Sequence, residues 1–125
     1  MKMVALIARI LLGLVFFVFG LNGFLHFIPA PPPPGVAGVF AGILISTHYF
    51  YVVSGLQVVG GALLLLGRYV ALALTLLGPI VVNIFLFHWL MEPKGLPLAI
   101  VVVMLWGVLF WAQKRAFAGV LASGG

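Results

Sequence analysis

The sequence predicts an all-α fold: a bundle of four transmembrane helices with a short interfacial helix between the first and second spans. Of its 125 residues, 66% are hydrophobic, and only six basic and one acidic residue carry a formal charge. About a quarter of the residues of a soluble domain are charged, and a chain this apolar cannot cover its own surface with polar groups. Four apolar segments are also close to the roughly 20 residues that cross the hydrocarbon core. We expect one integral membrane domain over 1–125, with spans at about 9–28, 49–66, 69–90 and 96–111 and the interfacial helix at about 36–46.

The first span is expected to begin near Arg9 and to end near Ile28. Pro29 and the proline tract at 31–34 should stop it, because proline lacks an amide hydrogen and disfavours helix in the residue before it. No Ala-x-Ala-like cleavage site follows the apolar run, so we interpret it as a retained helix and not as a signal peptide.

The segment that follows is too short to cross the membrane. Its large apolar residues recur at i, i+3, i+4, i+7 and i+8, opposite alanines and glycines: Val36, Val39, Phe40, Ile43 and Leu44. One apolar stripe on a short helix predicts a segment that lies flat at the interface or caps the bundle.

Glycine and proline separate the remaining spans. Gly67 and Arg68 form the turn between the second and third spans, and prolines precede the fourth span at 93 and open it at 97, where the missing amide hydrogen costs nothing. Pro79 should kink the third span. Small residues allow close helix packing, which we expect at Gly13, Gly20, Gly55, Gly60 and Gly61.

The basic residues predict the orientation. With four spans, one side of the membrane holds Lys2, Arg9, Arg68, Lys114 and Arg115, and the other holds Lys94 alone. Because positive charge accumulates on the cytoplasmic side, we expect both ends of the chain in the cytoplasm. The six basic residues are spread along the sequence and form no nucleic-acid patch, so we expect no nucleic-acid partner.

The polar side chains gather in the outer half of the predicted bundle. Those at the outer helix ends are His26, His48, His88 and Glu92, and those deeper in the membrane are Asn22, Gln57 and Asn83. The amides could be interhelical hydrogen-bonding residues, and the histidines could be ordinary head-group residues. Three histidines and a carboxylate could also ligate a metal. We take none of them to pair at the i, i+4 spacing of helical ligands, and we predict no metal site.

A quinone head group is the other ligand that these residues could hold. Asn22, His26, Asn83 and His88 could supply its hydrogen bonds, which makes them the candidate cofactor-binding residues. The apolar slot would come from nearby aromatic side chains, namely Phe19, Phe24, Phe85, Phe87 and Trp89. The chain contains no cysteine, so it performs no thiol chemistry by itself. It contains no set of nucleophile, base and orienting residue either, so catalytic residues remain unknown and enzymatic activity is left open.

Four stretches of the sequence resemble the DoxX family of small bacterial membrane proteins. They are Arg9–Leu14 with Gly20–Phe27 in the first span, Gly67–Val70 at the turn, and Pro79–His88 in the third span. The resemblance implies a four-helix bundle in the bacterial cytoplasmic (inner) membrane. It also implies a link to quinone-dependent oxidation of sulfur compounds, or to membrane complexes that handle oxidative or thiol stress.

We therefore consider three functions. The first is an accessory subunit of a larger redox, respiratory or photosynthetic membrane complex, whose partners are lipids and other membrane subunits. The second is a quinone-interacting oxidoreductase component. The third is a small transporter, although 125 residues contain no two-fold repeat of broken helices.

Overall fold

The computed structural model describes residues 2–28 and 32–124, and this part of the chain is a helical bundle without strands. The helices are α1 (Lys2–Leu25), α2 (Val36–Ser46), α3 (Tyr49–Leu66), α4 (Val70–Leu90), α5 (Leu96–Ala112) and α6 (Lys114–Leu121), with a 3₁₀ turn at Pro93–Gly95 before α5. Four of the described helical segments are long and apolar enough to cross a membrane: α1, α3, α4 and the 3₁₀ turn joined to α5. The predicted all-α class, with a shorter apolar helix between the first two spans, is confirmed.

The boundaries of the first span differ from the prediction. α1 begins at Lys2 and not near Arg9, because the residues between them are helix formers that continue the backbone hydrogen bonds beyond the length that lipid requires. It ends at Leu25, before any proline. His26 takes the left-handed conformation (φ 53°), and no continuing helix passes through that conformation. Pro29 and Pro31, which were expected to stop the helix, lie outside the described residues.

The four long helices form a ring. α1 packs against α3 and α5, and α4 packs against the same two helices, so α1 and α4 are diagonal to each other. Six large side chains are fully buried between them: Leu12, Phe16, Leu64, Leu74, Leu77 and Leu109. Large apolar side chains on the outer faces are exposed, as expected of helices whose solvent is lipid.

Glycines bring α1 and α3 together. A Cβ atom on Gly20 would lie 2.8 Å from the backbone nitrogen of Val58, and one on Gly61 would lie 2.9 Å from the carbonyl oxygen of Gly13. Gly60 faces the side chain of Leu77 in α4 in the same way. The expected packing role is therefore confirmed for these glycines. It is wrong for Gly55, which has no neighbour closer than 4.0 Å.

Two short helices flank the bundle. α2 turns Ala37 inward, while Val36, Val39 and Ile43 are exposed. The apolar stripe is divided, because Phe40 packs against Phe87 of α4 at 5.7 Å and the exposed residues face away from the bundle. α6 was not predicted, although Lys114 begins it and Phe117, four positions beyond Gln113, is buried against Phe110. Its amphipathic pattern, with Lys114 and Arg115 followed by apolar residues that include Phe117, was the available signal.

Candidate functional site

Near the C-terminal end of α1, the Asn22 side chain forms hydrogen bonds with the chain that follows the helix. Its Oδ1 accepts a hydrogen bond of 2.6 Å from the amide of Ile28, and its Nδ2 donates one of 3.4 Å to the carbonyl of the same residue. The amide of His26 donates to the carbonyl of Asn22 at 2.9 Å. Both ends of the Asn22 amide are thus used within 22–28, so this residue orders the chain leaving α1, and it makes no hydrogen bond to another helix of the described residues.

His26 and His48 line one small cavity at the end of the bundle where α1 ends and α3 begins. Both residues have left-handed backbones, with φ of 53° and 62°, and each lies beside the end of a helix. The cavity measures about 50 Å³ and includes Gly23 and Tyr51 in its walls. The ring of His48 is stacked on that of Tyr51 at 5.6 Å. This volume suits one or two water molecules, each of which occupies about 30 Å³ in the liquid.

Sequence reasoning did not join these two histidines, because 22 positions separate them and α2 brings them together only after folding. Beneath the cavity wall, between α1 and α3, lies Ser54. Its hydroxyl is fully buried, faces Gly23, and has no hydrogen-bond partner within the described structure.

Asn83 lies on the outer, lipid-facing surface of α4. Its Nδ2 donates a hydrogen bond of 2.8 Å to the carbonyl of Pro79, one turn earlier in the same helix, and the side chain is exposed. No hydrogen bond reaches its Oδ1 from the residues that the structure describes. Near the proline, Trp106 of α5 donates its indole N–H to the carbonyl of Leu74 at 3.0 Å, which ties α5 to this part of α4.

His88 and Glu92 form a pair at the C-terminal end of α4. The His88 Nδ1 is 3.2 Å from both the carboxylate Oε2 and the backbone carbonyl oxygen of Glu92, and Gly95 packs against the imidazole ring. The residues are four apart in sequence. The expectation that none of these polar residues pairs at i, i+4 spacing is therefore wrong for His88 and Glu92. The turn at Met91 brings the carboxylate back over the ring, so the histidine is oriented by its own chain. Within the described ranges, no group of three metal-ligating side chains comes together.

The four candidate quinone ligands fall into two separate groups. Asn22 and His26 lie at the end of α1, and Asn83 and His88 lie on α4, diagonally across the bundle. The aromatic residues divide in the same way, since Phe24 stacks on Tyr51 at 5.5 Å while the α4 residues Phe85 and Trp89 pack together at 5.8 Å. A single head group would thus not contact all four residues.

Comparison with known proteins assigns the chain to a family. No curated protein and no solved structure matches it significantly. The DoxX family model matches residues 4–89, which includes nearly all of α1 and α4 and everything between them. This match covers more than half of the chain and contains the stretches that first suggested the resemblance. The chain therefore belongs to the DoxX family of membrane proteins.

Proposed function

We propose that this protein is an accessory subunit of a larger redox, respiratory or photosynthetic complex in the bacterial inner membrane. It docks on that complex through the outer face of α4. The partner on this face is a transmembrane helix of another subunit that carries a polar side chain opposite Asn83.

The exposed amide of Asn83 carries the proposal. Its neighbours on the outer face of α4 are apolar and exposed, including Val82 and Leu86, and its Oδ1 has no partner among the described residues. Transferring an amide from water to an apolar medium without hydrogen bonds costs about 4–8 kcal/mol. Polar residues within membrane spans usually face other protein, where they find partners. A polar side chain on a neighbouring subunit would supply the missing hydrogen bond.

The composition of the chain is consistent with a non-catalytic role in a complex. The chain has a single carboxylate, which contacts His88, and no cysteine. The chain belongs to the DoxX family, and its resemblance to that family implied a link to redox complexes of the membrane. The basic residues Lys2, Arg9 and Lys114 gather at one end of the bundle, which favours cytoplasmic chain ends by the positive-inside rule.

Gentle extraction of the tagged protein from its native membrane, followed by mass spectrometry, tests the assembly. We expect a stoichiometric redox subunit with the wild-type chain and its loss with Asn83→Leu. Thr75→Val is the matched control, because it also removes an exposed polar group from α4, and its hydroxyl is already bonded to the carbonyl of Ala71. Recovery of the wild-type protein alone, or equal partner recovery with Asn83→Leu, would contradict the proposal.

A quinone-interacting component is the second candidate, favoured by the same exposed amide. A lipid-soluble quinone reaches the outer face of α4 from the bilayer, and Asn83 would donate or accept a hydrogen bond to its carbonyl group. In that case Asn83→Leu abolishes binding of a short-chain ubiquinone analogue, while His26→Leu, directly after the end of the diagonal helix α1, leaves it unchanged. Equal binding by both variants and the wild type would exclude this role.

A further inference from the structure

We propose that a groove at the basic end of the bundle binds the phosphate head group of an anionic phospholipid. The groove lies between the beginning of α1 and the junction of α5 with α6, and its volume is about 500 Å³. Small-molecule sites commonly measure about 300–1,000 Å³. The acyl chains would continue along the exposed apolar surfaces of α1 and α5.

Three cationic side chains from two separate parts of the sequence line this groove. They are Lys2 and Arg9 from α1 and Lys114 from the beginning of α6. No carboxylate of the described residues lines it, because Glu92, the one acidic residue of the chain, contacts His88 at the opposite end of α4. Among the residues that the structure describes, no acidic side chain neutralises the positive charge of the groove.

Arg9 still has donors available for a phosphate. Its Nη1 donates to the carbonyl oxygens of Leu64 at 2.5 Å and Leu65 at 3.4 Å, which fixes the partly buried guanidinium at the groove. Its Nε and Nη2 donors make no hydrogen bond within the described part of the chain. Guanidinium groups offer five N–H donors in a planar fork, a geometry suited to phosphate oxygens.

The walls of the groove favour a lipid over a soluble phosphate. Leu6 and Leu109 contribute apolar surface, and Trp111 is 59% exposed at the groove. The Lys114 ammonium lies 4.1 Å from the centre of the Trp111 ring. Tryptophan and lysine side chains at helix ends are typical of the head-group level of a bilayer. Basic pockets between transmembrane helices are known to bind anionic head groups.

The test measures lipid retained by the purified full-length protein. Native mass spectrometry counts phosphatidylglycerol and phosphatidylcholine bound from mixed micelles, and the thermal midpoint is followed on addition of each lipid or of glycerol phosphate. The variant is Lys2→Gln with Lys114→Gln, which spares the Arg9 contacts. Two controls each remove one positive charge elsewhere, and their effect is compared with the loss expected per lysine: Arg115→Gln beside the groove and Lys94→Gln at the opposite end.

We expect wild-type protein to retain phosphatidylglycerol in preference to phosphatidylcholine and to gain thermal stability from it. The double variant should lose about fivefold in phosphatidylglycerol affinity per lysine, or about thirtyfold in all, while both controls keep the wild-type affinity. Equal losses in Arg115→Gln would show general charge attraction and overturn the site. Stabilisation by glycerol phosphate without lipid preference would overturn the assignment to a phospholipid.

Discussion

The closest approach of a glycine to the facing backbone between α1 and α3 occurs at Gly61, and it permits a quantitative test of the close packing of these helices. At Gly61 an added Cβ would lie 2.5 Å from the backbone nitrogen of Phe17 and 2.9 Å from the carbonyl oxygen of Gly13. These are backbone atoms of another helix, so they cannot rotate away as the end of a side chain can. Moving the shorter contact to 3.4 Å, where ordinary van der Waals contact begins, separates the two helices locally by 0.9 Å.

This separation sets the expected loss of stability in Gly61→Ala. A radial gap of about 0.5–1 Å forfeits a quarter to a half of the dispersion energy of the contacts involved, and overpacking a well-packed interior costs about 1–3 kcal/mol. Gly107→Ala in α5 is the matched control, because nothing lies within 4 Å of its added Cβ. Both variants gain the same helix propensity, so we expect Gly61→Ala to be less stable than Gly107→Ala by about 1–3 kcal/mol.

Reversible unfolding in mixed micelles of increasing SDS fraction, followed by tryptophan fluorescence, measures both variants under the same conditions. Gly61→Ala should shift the midpoint to lower SDS, and Gly107→Ala should leave it unchanged or raise it slightly. If the two variants unfold at the same SDS fraction, the close approach of α1 and α3 does not contribute to stability and the reasoning is refuted.

Three further substitutions test individual polar groups. Arg9→Gln should lower the free energy of unfolding by about 1.5–3 kcal/mol through loss of its charged hydrogen bond to the end of α3, whereas Arg68→Gln in the adjacent exposed turn should change it little. Ser54→Ala should raise the free energy of unfolding by about 1 kcal/mol, because it removes a buried hydroxyl without a hydrogen-bond partner. Asn22→Leu should cost about 1–3 kcal/mol and speed hydrogen exchange at the amide of Ile28, since both hydrogen bonds of its side chain go to that residue.

The same unfolding and hydrogen-exchange measurements can contradict each of these three predictions. Equal stabilities of the two arginine variants would show that the Arg9 contact is not formed in the membrane. Destabilisation by Ser54→Ala would show that the hydroxyl has a partner. Unchanged exchange at Ile28 in Asn22→Leu would show that the amide is protected by other means.

The sequence predicts the boundaries of α2 to α5 better than those of α1. α2 and α3 have the predicted boundaries, and α4 and α5 differ from them by one residue. Gly67, with a φ of 68°, ends α3 as expected of a left-handed cap. The end of α1 could not be predicted, because it depends on a left-handed His26 and on a side chain bond between Asn22 and Ile28, neither of which leaves a compositional signal.

The candidate site shows the same division. Sequence order placed Asn83 in the third span, and the structure has it within α4, but its outward direction depends on which face of α4 meets α3 and α5. Arg9, expected only to orient and anchor the chain, reaches the carbonyl of Leu64, 55 positions away. His88 and Glu92 were within reach by spacing alone, and this pair could have been found from the sequence.

The sequence by itself determined that the chain is a membrane protein, that four of its helices are long and apolar enough to cross a membrane, and where most helices begin and end. Those properties follow from apolar length and from local backbone preferences, which each segment carries alone. Only the tertiary structure decided that α1 and α4 are diagonal, that two histidines share a cavity, and that Lys2, Arg9 and Lys114 line one groove. In lipid, apolar side chains cover every face of a helix. The choice of neighbours therefore rests on the steric fit of glycines and on a few hydrogen bonds, which form only when the helices meet.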